Sequence, residues 1–233
     1  MPIYFFHPAD LLIIPAVIFA IWAQMRVKYA YSKYATVPTK RGITGLQVAQ
    51  WILERENIND VDVEITEGEL TDHYDPKAKK VRLSQQVYYG HSIASVGIAA
   101  HELGHVIQHA HSYAPMQVRN FIYPACALGS NLAFPLIILG FILSSVGVYA
   151  NWLINVGIYM FSLAVLFTVI TLPVEFNASR RAIKILADGS LMEQDELKGV
   201  RAVLSAAALT YVAAATAAIL QLIRLLIITR GRE

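Results

Sequence analysis

The sequence predicts a mainly α-helical membrane protein: about four transmembrane helices plus a small α+β domain containing a short β-sheet or hairpin. Three observations predict it. Of the 233 residues, 56% are hydrophobic and only 15% charged, too apolar for a soluble chain of ordinary composition. Phe121 to Val174 is 54 residues without a charged side chain, which at about 1.5 Å per residue is roughly 80 Å of helix. That is well over twice a hydrocarbon core of about 30 Å, so the segment crosses twice. From about residue 42 to the start of that segment, by contrast, the composition is soluble and the apolar pattern switches between helix and strand periods.

Taken in order, residues 1–28 read as an N-terminal anchor whose apolar run, 9–25, ends at Arg26 and Lys28. No lysine or arginine precedes the run and no small-residue cleavage pattern follows it, so it reads as retained. Arg26, Lys28, Lys33, Lys40 and Arg41 then crowd one short stretch, the bias that marks a cytoplasmic flank. Residues 29–120 form the soluble section. Thr44-Gly45-Leu46-Gln47 has the form of a capping box, opening a helix that runs to about Glu56. Val61, Val63 and Ile65 alternate with polar residues as a half-buried strand. Two short strands, near Leu70 to Tyr74 and Lys80 to Leu83, flank the turn Asp75-Pro76-Lys77-Ala78.

The spans 121–174 form a hairpin, its turn placed near Gly147 to Asn155, where Asn151, Trp152 and Asn155 supply polar and interfacial side chains. A hairpin returns the chain to the side it left. Residues 175–201 therefore face the same compartment as the soluble section, and their own basic block, from Arg180 to Arg201, agrees with the cytoplasm. Residues 202–233 hold a fourth candidate span, Ala202 to Ile223, with a small-residue stripe at Ala206, Thr210, Ala214 and Ala218. Arg224, Arg230 and Arg232 beyond it would lie outside, which leaves a re-entrant or interfacial last helix as the rival reading. The net charge of +2 suggests no polyanionic partner, and no nucleic-acid module is found. The single cysteine, Cys126, excludes an intrachain disulfide.

Chemistry concentrates in His101-Glu102-Leu103-Gly104-His105. The surrounding stretch from Ser92 to His111 lacks proline, has an apolar residue every third or fourth position, and offers Ser92 as N-cap. On that helix the two histidines share a face one turn apart and can grip one zinc ion, with Glu102 beside the open coordination position. The competing reading is two ordinary polar residues of a core helix. A catalytic zinc site usually takes a third protein ligand. Glu175, directly after the third span, is the leading candidate; Asp188, Glu193, Asp195 and Glu196 are the others, and Glu175 could instead pair with Arg180 or Arg181. His73, His91, His109 and His111 read as surface or substrate-groove residues, since His109 lies two turns from His101. With zinc lowering the pKa of bound water to near 7, Glu102 is the expected general base. An oxyanion donor would be a tyrosine, histidine or arginine that the sequence does not single out.

These motifs carry a resemblance. The N-terminal span, the Thr44-Gly45 helix, the Asp72-His73-Tyr74-Asp75-Pro76 hairpin, Ala99-Ala100-His101-Glu102-Leu103-Gly104-His105, the span pair and Glu175-Phe176-Asn177-Ala178-Ser179-Arg180-Arg181-Ala182 together resemble the YugP-like membrane zinc metallopeptidases, and more distantly the HtpX-like ones. The resemblance implies a zincin-like domain of the Glu-zincin type in which His101, His105 and Glu175 bind one zinc per chain and Glu102 is catalytic. The HtpX-like pattern has aspartate four residues after the ligand glutamate; here Ser179 stands there. The expected activity is zinc-dependent endopeptidase action at the cytoplasmic surface of a bacterial cell membrane, in a multi-pass protein whose substrate is a membrane-associated peptide or protein. An exposed edge strand of the small sheet could hold that substrate extended. The alternative is a non-proteolytic membrane adaptor or chaperone retaining the fold. A zinc transporter is weaker, because Phe121 to Val174 and Ala202 to Ile223 contain no His, Asp or Glu. Neither substrate nor oligomeric state is readable.

Overall fold

The computed structural model describes residues 7–230 apart from Gly147 and Tyr149. A 3-10 turn, Pro8–Leu12, leads into α1 (Ile13–Ala35), followed by α2 (Gly45–Arg55), β1 (Asp62–Thr66), β2 (His73–Asp75), β3 (Lys80–Ser84), α3 (Gln85–Tyr88), α4 (Ile93–Ala110), α5 (Ala114–Ser145), α6 (Asn151–Asp188) and α7 (Gln194–Arg230). It is a mainly α membrane protein with a small α+β domain. Among the described residues, four helices are long and apolar enough to cross a membrane, namely those containing α1, α5, α6 and α7.

The chain divides into two compact units, one from residues 23–117 and 173–210 and the other from residues 1–22, 118–172 and 211–233. The first holds the α+β domain. Its α2 starts on the capping box: Thr44 Oγ1 accepts from Gln47 N at 3.2 Å while Gln47 Oε1 accepts from Thr44 N at 2.9 Å, satisfying two donors that a bare helix start leaves open. The sheet has the order β1-β3-β2, with β1 parallel and β2 antiparallel to the central β3. On β3, Val81 and Leu83 are fully buried, while Lys80 and Arg82 reach Glu64 across the outer face at 2.6 and 2.7 Å. The core takes in Val61 and Val63, but Ile65 is 44% exposed, so the inward alternation stops short of the end of β1. β2 is shorter than the pattern from Leu70 suggests, because Leu70 has a left-handed backbone (φ 55°) that no strand accommodates. Side chains of α2, β3, α4, the end of α6 and the start of α7 share one core, with Ile52, Leu83, Leu103, Leu186 and Leu197 at its centre.

In the second unit α5 and α6 pack closely enough that a Cβ on Gly129 would lie 2.8 Å from the Met160 carbonyl oxygen. Cys126 is buried there and its thiol meets the Leu163 carbonyl at 3.3 Å. The α5–α6 connection is confined to 146–150; Gly147 and Tyr149 of the expected turn lie outside the described residues, and Asn151, Trp152 and Asn155 already belong to α6. Arg224, expected beyond the end of a span, pairs with Asp10 at 2.5 Å. The start of the first apolar helix and the end of the last thus meet. Of the small-residue stripe, Ala206 is buried, whereas Ala214 is exposed between the buried Ala213 and Ala215.

Candidate metal centre

The centre is built on α4. Ser92 Oγ accepts from Ser95 N at 3.1 Å and sets the start of the helix, whose apolar side, from Val96 through Leu103 to Val106, is fully or almost fully buried. This fixes the rotation of the helix. His101 and His105, one turn apart, are edge to face with ring centroids 4.9 Å apart, and Glu102 between them is 8% exposed.

A second helix supplies a carboxylate. α6 runs through Pro173 at the end of the uncharged segment and, with no breaker between Glu175 and Gly189, continues to Asp188, carrying Glu175 against α4. The two helices meet at Gly104, where even a methyl group would lie 2.5 Å from the Ala178 carbonyl oxygen and 3.0 Å from Ala178 Cα. That close approach puts Glu175 Oε2 3.4 Å from His101 Nε2 and 3.6 Å from His105 Nε2. Two corners of a tetrahedron with zinc–ligand bonds of about 2.0–2.2 Å are roughly 3.3–3.6 Å apart. The donor set therefore fits zinc in chemistry and in spacing: two imidazoles and one carboxylate whose ligand atoms all lie within 4.8 Å of one another. Among the described residues it is the one such cluster of three or more His, Cys, Asp or Glu.

Both histidines present Nε2 to this point because each Nδ1 is engaged behind. Ser179 Oγ lies 3.1 Å from His101 Nδ1, so the serine stands where the aspartate of the HtpX-like pattern would. His105 Nδ1 lies 3.0 Å from Gln108 Oε1. The orientation of that amide follows from a chain of partners. Arg181 Nε, which can only donate, meets Asn177 Oδ1 at 2.8 Å. The Asn177 oxygen can then only accept, so the Gln108 atom 3.0 Å from it is the amide nitrogen, which also donates to the Val174 carbonyl at 2.7 Å. Gln108 Oε1 thus faces His105 and Nδ1 carries a proton, so Nε2, the nitrogen toward Glu175, is the one that gives up its proton to bind a metal. In the metal-free protein burial opposes a charge on His105, but the hydrogen bond to Glu175 and the negative charges of Glu175 and Glu102 outweigh it and hold the imidazole above its ordinary pKa.

Gln108, fully buried, and Asn177 are the residues that pattern reading passed over. The available signal was a lone amide three residues after His105, on the buried face of an apolar helix. The remaining candidates are engaged elsewhere. Glu193 and Asp195 pair with Lys40 at 2.6 and 2.9 Å, Glu196 accepts from Glu193 N and Lys40 N near the start of α7, and Asp188 is exposed. Arg181 bonds Asn177 rather than Glu175. His109 Nδ1 meets the Tyr74 hydroxyl at 2.7 Å, His111 faces Glu56 at 3.8 Å, His73 bonds the Thr71 carbonyl, and His91 is exposed.

No solved structure matches the chain. It is 45% identical over 223 residues to the protein named "Putative membrane protease YugP" of Bacillus subtilis (strain 168), an alignment covering 95% of this chain and 97% of that one. The family model described as "Putative neutral zinc metallopeptidase" matches residues 9–230, and the chain belongs to that zinc metallopeptidase family.

Proposed function

We propose that the protein is a multi-pass, zinc-dependent endopeptidase that hydrolyses peptide bonds at the cytoplasmic surface of a bacterial cell membrane, with His101, His105 and Glu175 holding one zinc ion and Glu102 as general base. The observation that carries the reading is the convergence of three ligand atoms within 4.8 Å on helices α4 and α6, with the carboxylate of Glu102 on the same helix as both histidines. When bound there, zinc supplies Lewis-acid polarisation of the scissile carbonyl and acidifies a water to a pKa of about 7.

The residues of this chain do the rest. Glu102, with its carboxylate in a mostly water-excluded setting, takes the proton from the attacking water and delivers it to the leaving amine. Gln108 and Ser179 hold the imidazoles so that Nε2 faces inward. β2, at the edge of the sheet and tied to α4 through Tyr74 and His109, offers main-chain groups to an extended peptide. A strand-edge site reads little sequence, so the membrane surface would select substrates, favouring membrane-associated polypeptides. The basic flanks Arg26 to Arg41 and Arg180 to Arg201 argue for the cytoplasmic side.

Elemental analysis of the detergent-purified chain tests the metal. About one zinc per chain, with a large loss in Glu175→Ala, supports the three-ligand site, and cleavage of an unstructured protein substrate that disappears in Glu102→Gln supports the base. Zinc-loaded, folded protein that cleaves nothing would leave the adaptor reading in its place. External accessibility of a tag beside Lys77 in intact cells would reverse the orientation.

A further inference from the structure

Behind the metal centre, α6 and α7 enclose a groove of about 1080 Å³. It lies just above the range of about 300–1,000 Å³ usual for small-molecule sites. Arg180 and Lys184, one turn apart on α6, and Arg201 on α7 line it, against a single carboxylate, Asp188. All three cations are exposed, and among the described residues none has an ion-pair partner. The groove is graded along its length. α6 runs from the uncharged segment toward Asp188 and α7 runs back, so Lys184, Asp188 and Arg201 mark one end. Pro173, Phe176 and Leu209 mark the other, where the uncharged stretches 121–174 and 202–223 bring apolar sequence.

We propose that this groove seats one anionic phospholipid, its phosphate among Arg180, Lys184 and Arg201 and the start of an acyl chain along Phe176 and Leu209. Three cations with no ion-pair partner among the described residues form a receptor for phosphate oxygens, and arginine matches them with a planar pair of donors. An apolar continuation toward hydrocarbon-compatible sequence is what a soluble anion or an acidic peptide would leave unused. Surface cations beside a membrane attract anionic lipids diffusely at about 1 kcal/mol each. A groove differs in being saturable and in rejecting a neutral headgroup. The inference does not need peptidase activity, since Arg180, Lys184 and Arg201 are not part of the metal centre, although Ser179 and Asn177, which reach His101 and Gln108, form a wall shared with it.

Native mass spectrometry of the full-length chain in detergent tests it, with dioleoyl phosphatidylglycerol and dioleoyl phosphatidylcholine as probes at matched concentrations. The expected result is one retained phosphatidylglycerol with at least tenfold preference over phosphatidylcholine. That preference should fall at least tenfold in Arg180→Gln/Lys184→Gln/Arg201→Gln and persist in Lys28→Gln/Lys33→Gln/Arg41→Gln, which removes equal charge elsewhere. Ser205→Trp, which fills the groove without altering charge, should also displace the lipid while leaving the melting temperature of the lipid-free protein unchanged, covering the case in which the triple variant folds poorly. Equal losses in the two triple variants, or unchanged lipid retention in Ser205→Trp, would overturn the proposal in favour of diffuse attraction. Competition by glycerophosphoglycerol or by an oligoglutamate peptide as strong as that of the intact lipid would overturn it in favour of a free phosphate or an acidic segment.

Discussion

Gly104→Ala adds one methyl group where the structure has no room for it. The new Cβ would lie 2.5 Å from the Ala178 carbonyl oxygen, whereas a carbon meets such an oxygen at about 3.3–3.6 Å. The neighbour is backbone and cannot rotate away, so α4 and α6 must part by roughly 0.8–1 Å; overpacking of this kind costs about 1–3 kcal/mol. The same displacement acts on the metal centre, because Glu175 is on the helix that retreats. Its separations from His101 and His105, 3.4 and 3.6 Å, would open to about 4.2–4.6 Å, past the roughly 3.3–3.6 Å of a zinc tetrahedron and beyond the tolerance of about 0.2 Å on each ligand bond. Zinc affinity should fall at least ten- to hundredfold, the range typical of disturbed outer partners. Thermal unfolding of the metal-free protein reads the packing cost, and competition with a zinc chelator reads the affinity. A variant that melts normally and binds zinc as tightly as the wild type would refute both the contact and the ligand role of Glu175.

Gln108→Leu removes the acceptor that keeps the proton on His105 Nδ1 and should lower zinc affinity about ten- to hundredfold, with Gln108→Glu, which retains an acceptor, weakened less; equal affinities of the leucine variant and the wild type would exclude the tautomer argument. Because the His105 pKa in the metal-free protein is raised above the ordinary 6.5, zinc must displace a proton there. Affinity should therefore climb with pH through 6.5 and level off only above it, and a chelator-competition curve that is flat from pH 6 to 8 would count against this. Leu186→Ala, at a fully buried core position away from the ligands, should cost about 2–5 kcal/mol of stability while the folded fraction keeps its zinc affinity. A smaller loss by denaturant titration would mean that this end of α6 is not part of the α+β core.

Much of the architecture was legible because it depends on local pattern. The Thr44 capping box, the Ser92 cap, the short strand from Lys80 to Leu83, and the end of α6 at Gly189 all act within a few residues of the letters that encode them. Other features depend on distant partners. α1 runs on to Ala35, ten residues beyond the apolar run, since charge does not stop a helix and no breaker occurs before Pro38. Ile65 alternates correctly yet stays exposed, because burial requires a facing element as well as a period. Leu70 left the strand for a conformation that propensity gives no reason to expect of leucine.

The candidate site shows the same division. His101 and His105 are fixed to one helical face by spacing alone, and Glu175 was reachable because the uncharged stretch before it is long enough for a hairpin of two spans, which would return the chain to the side of α4. Of the partners behind the ligands, the position of Ser179 was reachable through the resemblance, whereas Gln108 and Asn177 were not. Ser179 and Gln108 act on different histidines, each of the two Nδ1 atoms is engaged by one of them, and the amide of Gln108 is oriented by the Val174 carbonyl and by Asn177 with Arg181, about seventy residues away in sequence. Asn177, Ser179 and Arg181 follow Glu175 on one helix, so the segment that delivers the carboxylate also sets the imidazoles it would share a metal with. A displacement of α6 therefore perturbs Glu175, the His101 contact and the His105 contact together, whereas a change on α4 alone can spare one of them. Double-mutant cycles should show it: Gln108→Leu with Ser179→Ala should be additive in zinc affinity if the two contacts are independent, while either change combined with Gly104→Ala should fall short of additivity, because the retreat of α6 already removes what the second change would take.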